Sequence, residues 1–266
     1  MLCSLCGTRP AATADGRCRI CAAFRRAAPG GLMATPIGLD HLRSPVGLGR
    51  AACVLLGAVA VADALSIVTG VRARLLLGER TEYGLAAVDE TTWTHAETLY
   101  RSAGVLQTVA FLATAVLFLA WLHRVRLNAE VFDPGAHTMR PGWTIGAWFV
   151  PIGNLWLPYR VVRGIWTASV LPGTPGDRAE TPRPLLHAWW GTLVASEVLS
   201  RFASVRYDRA ETVDDVVDAL DLVASCDALD IVAAVLAVLL VRRLTAMQGE
   251  RAALGALPVA QPLRAH

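Results

Sequence analysis

The sequence predicts an all-α polytopic membrane protein. It would be a bundle of four transmembrane helices plus a proline-broken re-entrant or interfacial segment, preceded by a short cysteine-bearing module. Three observations carry this prediction. The 266 residues are 54% hydrophobic and 18% charged, with mean hydropathy +0.44, against about 45–50% apolar and about 25% charged in a soluble domain. The apolar residues gather into four stretches of membrane-crossing length. Four cysteines fall in two tight pairs close to the N-terminus. This composition excludes a disordered chain, which needs low hydrophobicity and high net charge. The formal net charge of +3 argues against nucleic-acid binding driven by bulk charge.

Residues 1–26 form the cysteine-bearing module and residues 27–49, rich in Gly and Pro, a linker. The first 30 residues lack the apolar stretch of a secretory signal, so the N-terminus is expected to stay in the cytoplasm. Cys3-Ser-Leu-Cys6-Gly7 and Cys18-Arg-Ile-Cys21 make a C-x2-C-x11-C-x2-C pattern. A two-residue gap lets both sulfurs of a pair face one ion, and four thiolates close a tetrahedral structural zinc site. So small a module has almost no core, and the metal would supply its folding free energy. Disulfides are disfavoured in a reducing compartment. A redox C-x-x-C expects a βαβ frame that this chain lacks. A closed four-cysteine zinc-ribbon-like site points to structure or to recruitment of a cytoplasmic partner through residues 1–26.

The membrane domain is expected over 50–245, with a cytoplasmic tail over 246–266. Its spans are read at about 51–71, 103–122, 185–205 and 221–241. Each approaches the roughly 20 residues that a helix needs to cross about 30 Å of hydrocarbon. Helix is required there, because an isolated strand in lipid leaves its backbone groups unpaired. Cys53 and Cys226 fall in spans as small core residues. A further apolar stretch, 142–157, is interrupted by Pro151 and followed by Pro158, which predicts a kink or break. Its continuation places Val162, Ile165 and Trp166 on one helical face and Arg160, Arg163 and Thr167 on another, the pattern of a helix lying in the membrane interface. The whole broken segment runs over 142–170.

Arginine, which supplies all 25 basic residues, decides the topology. With four spans, 18 arginines lie on the cytoplasmic side (1–50, 123–141, 158–184 and 242–266) and 6 in the outer loops 72–102 and 206–218. If 142–157 crossed as a fifth span, each side would hold 12. The four-span topology is therefore favoured, with both termini cytoplasmic and outer loops that are net acidic, and a fifth span through 142–157 as a kinked, tilted helix stays the open alternative.

Charges within the spans are the chemical feature of the sequence. Asp63 sits near the middle of the first span, Glu197 and Arg201 four apart on the third, and Asp227 and Asp230 three apart on the fourth. Ionisable groups at that depth cost at least about 2.5–3.5 kcal/mol each. They are expected to face the bundle interior, Glu197 pairing with Arg201. Two readings stay open: a proton or ion pathway or polar ligand cavity, and plain interhelical hydrogen bonding. No nucleophile elbow, H-E-x-x-H, P-loop or dinucleotide fingerprint is present in the sequence, so an enzyme is not expected. The tryptophans Trp121, Trp143, Trp148, Trp156, Trp166, Trp189 and Trp190 are read as an aromatic belt at the membrane boundary.

The stretch Ala120–Glu130 (AWLHRVRLNAE), followed by Pro141–Val162 (PGWTIGAWFVPIGNLWLPYRVV), resembles the signature of the membrane proteins grouped as the domain of unknown function 4328 family, whose members are largely actinobacterial. The matching residues are Trp121, Arg124, Arg126, Asn128 and Ala129. Gly142, Trp143, Trp148, Phe149, Pro151, Asn154, Leu155, Trp156, Pro158 and Tyr159 follow, with the downstream pair Trp189 and Trp190. The resemblance covers about residues 48–245. It implies the architecture and a bacterial cell membrane location, with no activity. Asn154, between two prolines, is positioned to bond backbone groups freed by the helix break. Arg124, Arg126, Arg160 and Arg163 would flank it, either binding anionic headgroups or another phosphate-bearing ligand or serving as positive-inside anchors, and Asn128, Trp148, Pro151, Asn154 and Pro158 of the motif are candidate contacts beside them.

Two functions follow as expectations. The first is a non-enzymatic anchor, sensor or scaffold in the bilayer that recruits a partner through residues 1–26. The second is a small transporter or ion- or proton-coupled carrier using Asp63, Glu197, Arg201, Asp227 and Asp230. Elemental analysis of the purified full-length chain should find about one zinc per chain, and Cys3→Ser with Cys6→Ser should reduce it to background.

Overall fold

A computed structural model describes residues 41–170 and 183–255, together with Pro10, Ala11 and Gly16. The chain divides into two units, Met1–Asp40 and His41–His266. The four cysteines of the N-terminal pairs and the C-terminal end of the tail lie outside the described residues.

Among the described residues, six α-helices build the second unit: α1 (Val46–Tyr83), α2 (Glu90–Phe132), α3 (Trp143–Gly146), α4 (Leu157–Ser169), α5 (Pro184–Asp208) and α6 (Val213–Gly255). Local chemistry sets their ends. Gly84, at φ 92°, stops α1 in a conformation that disfavours side chains. Asp89 caps α2 by accepting from the Thr91 backbone N–H at 3.2 Å. At the start of α6, the Asp215 N–H donates to Thr212 Oγ1 at 3.2 Å and the Thr212 N–H donates back to Asp215 Oδ2 at 3.1 Å, a reciprocal capping box.

Three helices, α1, α2 and α6, are long and apolar enough to cross a membrane. They contain the predicted spans 51–71, 103–122 and 221–241. With 38, 43 and 43 residues, they run well past the roughly 30 Å hydrocarbon layer. The predicted span 185–205 also forms a helix, the 25-residue α5, but it is not among those three. His187, Glu197 and Arg201 dilute its apolar run. Segment 142–157 forms no long helix. It folds as the four-residue α3, an irregular turn through Pro151 and a 3₁₀ turn at Gly153–Leu155. Ile152 there adopts φ 61°, a strained conformation for a β-branched residue. The break expected at Pro151 is present. Among the described residues, 142–157 holds no continuous helix of membrane-crossing length.

α1 packs along both α2 and α6, and α5 packs along α6. Short turns join α1 to α2 and α5 to α6, so one end of the bundle holds both hairpins. The other, here called the motif end, holds α3 and α4. Aromatic rings fill the motif end. Phe118 contacts Trp121, Trp148 and Trp189 at centroid distances of 5.5, 6.1 and 6.1 Å, and Trp190 continues the cluster to Trp148 and Tyr159. Trp121 and Trp189, expected in an interfacial belt, are instead buried. Trp189 meets the Phe118 ring of α2, and Trp121 lies between α1 and α6. Trp121 Nε1 donates to Thr245 Oγ1 at 3.2 Å. Gly49 of α1 makes room for this pair, because a Cβ there would lie 3.1 Å from Thr245 Oγ1 and 3.3 Å from Trp121 Nε1.

A polar lock lies beside these rings. Asn128 accepts from the Arg43 N–H at 3.1 Å and donates to the Arg43 carbonyl at 2.8 Å and to Gln248 Oε1 at 3.1 Å. Gln248 donates to the Val125 carbonyl at 2.8 Å and to Ser169 Oγ at 3.2 Å. The lock thereby ties α2, α4, α6 and the segment ahead of α1. Asn128→Ala should lower stability by about 1–3 kcal/mol, because it strands buried donors and acceptors on several partners. Thermal unfolding of the purified full chain in detergent measures this.

Candidate functional site

Four of the five predicted intramembrane charges are acids, and the structure brings three of them together. Asp63 of α1 and Asp227 of α6 are both buried, and Asp230 is half-buried one turn along α6. Gln107 of α2 lies between the first two. Its Nε2 donates to Asp63 Oδ1 at 2.9 Å and to Asp227 Oδ1 at 3.0 Å. Ser196 of α5 donates to Asp230 Oδ1, and Ser66 of α1 lies against Asp227. Polar side chains from four helices thus converge on this cluster. Even so, Asp63 Oδ2 and Asp227 Oδ2 are buried and have no hydrogen-bond partner among the described residues.

Glu197 and Arg201 do not join this cluster, against the expectation that they face the interior and pair. Both are exposed, and no ion pair links them among the described residues. The reason is helical phase. The inward face of α5 beside the cluster is set by Trp189, Ser196 and Ala203, spaced seven apart, and positions 197 and 201 fall about 100° and 140° around the helix from Ser196. They therefore turn away from the face that packs inward.

A cavity lies between α2 and α5. Two adjoining chambers of about 430 and 360 Å³ share Tyr100, Tyr207 and Val223. The first takes Glu97, Arg101 and Gln107 from α2 and Ser66 from α1. The second takes Ser200, Ser204 and Asp208 from α5, with Cys226 and Asp227 from α6. The cavity runs from the hairpin end, where Glu97 and Asp208 stand, inward to Gln107 and Asp227. Glu97 and Arg101 neutralise each other across one helical turn at 2.7 Å. Arg74 pairs with Asp221 at 2.6 Å between α1 and α6. Among the described residues no group of three His, Cys, Asp or Glu side chains is arranged to hold a metal ion.

The signature residues at the motif end divide differently from expectation. Arg126 and Asn128, read as headgroup or ligand contacts, are buried. Arg126 donates to the Met139 carbonyl at 2.9 Å and to Glu130 at 3.2 Å, pinning the turn after α2, while Asn128 forms the lock. Neither is placed to reach a headgroup. Burial holds the Arg126 guanidinium below its ordinary pKa, opposed by the Glu130 carboxylate. Arg124 is half-buried and donates to the Ser44 carbonyl at 3.4 Å. Trp148 packs edge-on against Phe118 and Trp190, and Pro158 is buried at the start of α4. Asn154 makes no side-chain hydrogen bond among the described residues. The freed carbonyl of Leu155 is taken by Trp190 Nε1 at 3.1 Å instead. Arg160, Arg163 and Pro151 are exposed. Gln107, Gln248 and Ser196, all uncharged, had no place among the residues that the sequence singled out.

The family model described as Domain of unknown function (DUF4328) matches residues 85–246, from the turn before α2 through most of α6. No curated protein and no solved structure matches the chain. The match takes in Gln107, Asp227 and Asp230, while Asp63 precedes it. Replacing Gln107 by Leu should cost about 1–3 kcal/mol by removing the donor to two buried acceptors, whereas Thr108→Leu on the exposed face should be near neutral. Melting of the two variants beside the parent tests the shared-donor arrangement.

Proposed function

We propose that this chain, which belongs to the family described as Domain of unknown function (DUF4328), is a non-enzymatic integral membrane protein that works as a small proton-coupled carrier. Asp63 and Asp227 are its proton-exchanging groups and Asp230 their neighbour. One observation carries the reading. Two buried carboxyls on different helices share the Gln107 amide and, among the described residues, each keep one oxygen without a partner, and Asp227 of the pair lines the inner end of the cavity. An unaccompanied carboxylate at bilayer depth costs several kcal/mol. A proton therefore resides there whenever no other cation does, and the cavity gives it a route to water.

Four crossings, by α1, α2, α5 and α6, complete the proposal. What supports α5 as the fourth is its 25-residue length and its packing along α6 in a hairpin. The partition of arginines supports cytoplasmic termini and a cavity that opens outward, in a bacterial cell membrane. Residues 1–26 would act from the cytoplasmic side as a zinc-ribbon-like module that recruits a partner. Their cysteine spacing supports that assignment.

A hydrophobic carbodiimide, which adds to protonated carboxyls in apolar surroundings, tests the proton site. Peptide mass spectrometry of the treated full chain in native membranes should find the adduct on Asp227 or Asp63, with labelling that declines as pH rises, because only the protonated carboxyl reacts. Absence of adduct at both residues, or labelling that does not change with pH, would overturn the reading.

A further inference from the structure

We propose that the cavity between α2 and α5 binds a small organic cation, its ammonium group against Asp227 and its apolar body between Tyr100 and Tyr207. The proposal names the substrate class of the proton-coupled site and rests on that reading.

Charge gives the first argument. Of the ionisable groups on the cavity wall, Glu97 and Arg101 cancel as an ion pair at 2.7 Å. Asp208 and Asp227 have no ion pair among the described residues, so the space is acidic. Asp227 is 7% exposed, lines the second chamber and keeps an unpartnered Oδ2 in these surroundings. A buried acceptor without a donor is the complement of an N–H⁺ group.

Shape and wall chemistry narrow the ligand. Hard divalent ions need six or more converging oxygens, and among the described residues no such group of side chains forms. Tyr100 and Tyr207 border both chambers, and aromatic faces attract organic cations. Chambers of about 430 and 360 Å³ match small-molecule sites, which run from about 300 to about 1,000 Å³. The second carboxyl, Asp63, stands behind Gln107 and leaves the amide free to follow either charge state. Gln107 donates to both acids, so a cation on Asp227 and a proton on the pair are alternatives for the same compensating charge. No covalent step is involved.

2-Phenylethylamine, a primary ammonium cation at about pH 7, is the probe, titrated calorimetrically into the full-length chain in detergent. Saturable binding is expected, weakened at least about tenfold by Asp227→Asn, with 3-phenylpropionate neither binding nor competing. Tyr100→Phe should stay within about twofold of the parent and Tyr100→Leu should lose about fivefold or more, because the aromatic face and not the hydroxyl carries the contact. That pair decides the matter even where Asp227→Asn folds poorly. No saturable binding by the parent, or equal affinity in Tyr100→Leu and Tyr100→Phe, overturns the cation site. Its failure is separable from that of the proton reading. Labelling that depends on pH without cation binding overturns only the present proposal. Cation binding beside pH-independent labelling supports the cation site and overturns proton exchange.

Discussion

One amide group organises the interior of the bundle. Gln107 donates from its Nε2 to carboxylates on two other helices, so α1, α2 and α6 must keep their relative rotation and depth for either bond to survive. In water such a constraint is weak, because solvent replaces a lost partner. In hydrocarbon there is no replacement, and each misplaced helix would strand a carboxyl. Apolar packing alone would not fix these helices, since lipid tails are as apolar as Leu or Val. The register of α1 against α2 and α6 therefore depends on Gln107 here and on Gly49, Trp121 and Thr245 nearer the motif end.

The two ends of the bundle are built for opposite behaviour. At the motif end Asn128 and Gln248 of the lock find partners on several elements, and the rings from Phe118 to Trp190 fill the space between α2 and α5. Here α2 and α5 meet through the Phe118 and Trp189 rings. Toward the hairpin end they border a cavity instead. α5 packs mainly on α6, tied by the hydrogen bond from Ser196 to Asp230. The broken segment 142–170 adds to this packed end through Trp148 and Ile165, while its Phe149 and Ile152 stay exposed.

The sequence made three of the long helices plain, because their apolar runs match or exceed a membrane span. The helix break at Pro151 was equally legible, since proline removes a donor whatever surrounds it. What the sequence could not show was rotation. Spacing of four places Glu197 and Arg201 on one side of α5 but does not say which way that side turns. Only the packing of Trp189, Ser196 and Ala203 turns it away from the core. The same gap misassigned Arg126 and Asn128. An arginine just past a span reads as an interfacial anchor, and only the fold of the following turn back over α2 buries it. Gln107 escaped because it carries no charge. It is the sole amide in the predicted span 103–122, and an uncharged residue with two donors at that depth is as informative as an acid.

Asp63 bears on where the working unit begins. The family match starts at residue 85 and so takes in Gln107, Asp227 and Asp230 without α1. Yet α1 packs against both α2 and α6 and supplies Asp63 and Ser66 to the acidic cluster and Gly49 to the motif end. Without α1, Gln107 would keep one acceptor of its two, Thr245 and Trp121 would lose the glycine that lets a helix approach them, and the seam between α2 and α6 would face lipid with Asp227 in it. A buried acid that faces lipid is unfavourable by several kcal/mol. The segment from residue 85 onward therefore needs a preceding helix for physical reasons that the matched residues themselves impose. The polar demands of Gln107 and Asp227 fix what that helix must carry at its midpoint, an acceptor on the face turned toward α2 and α6.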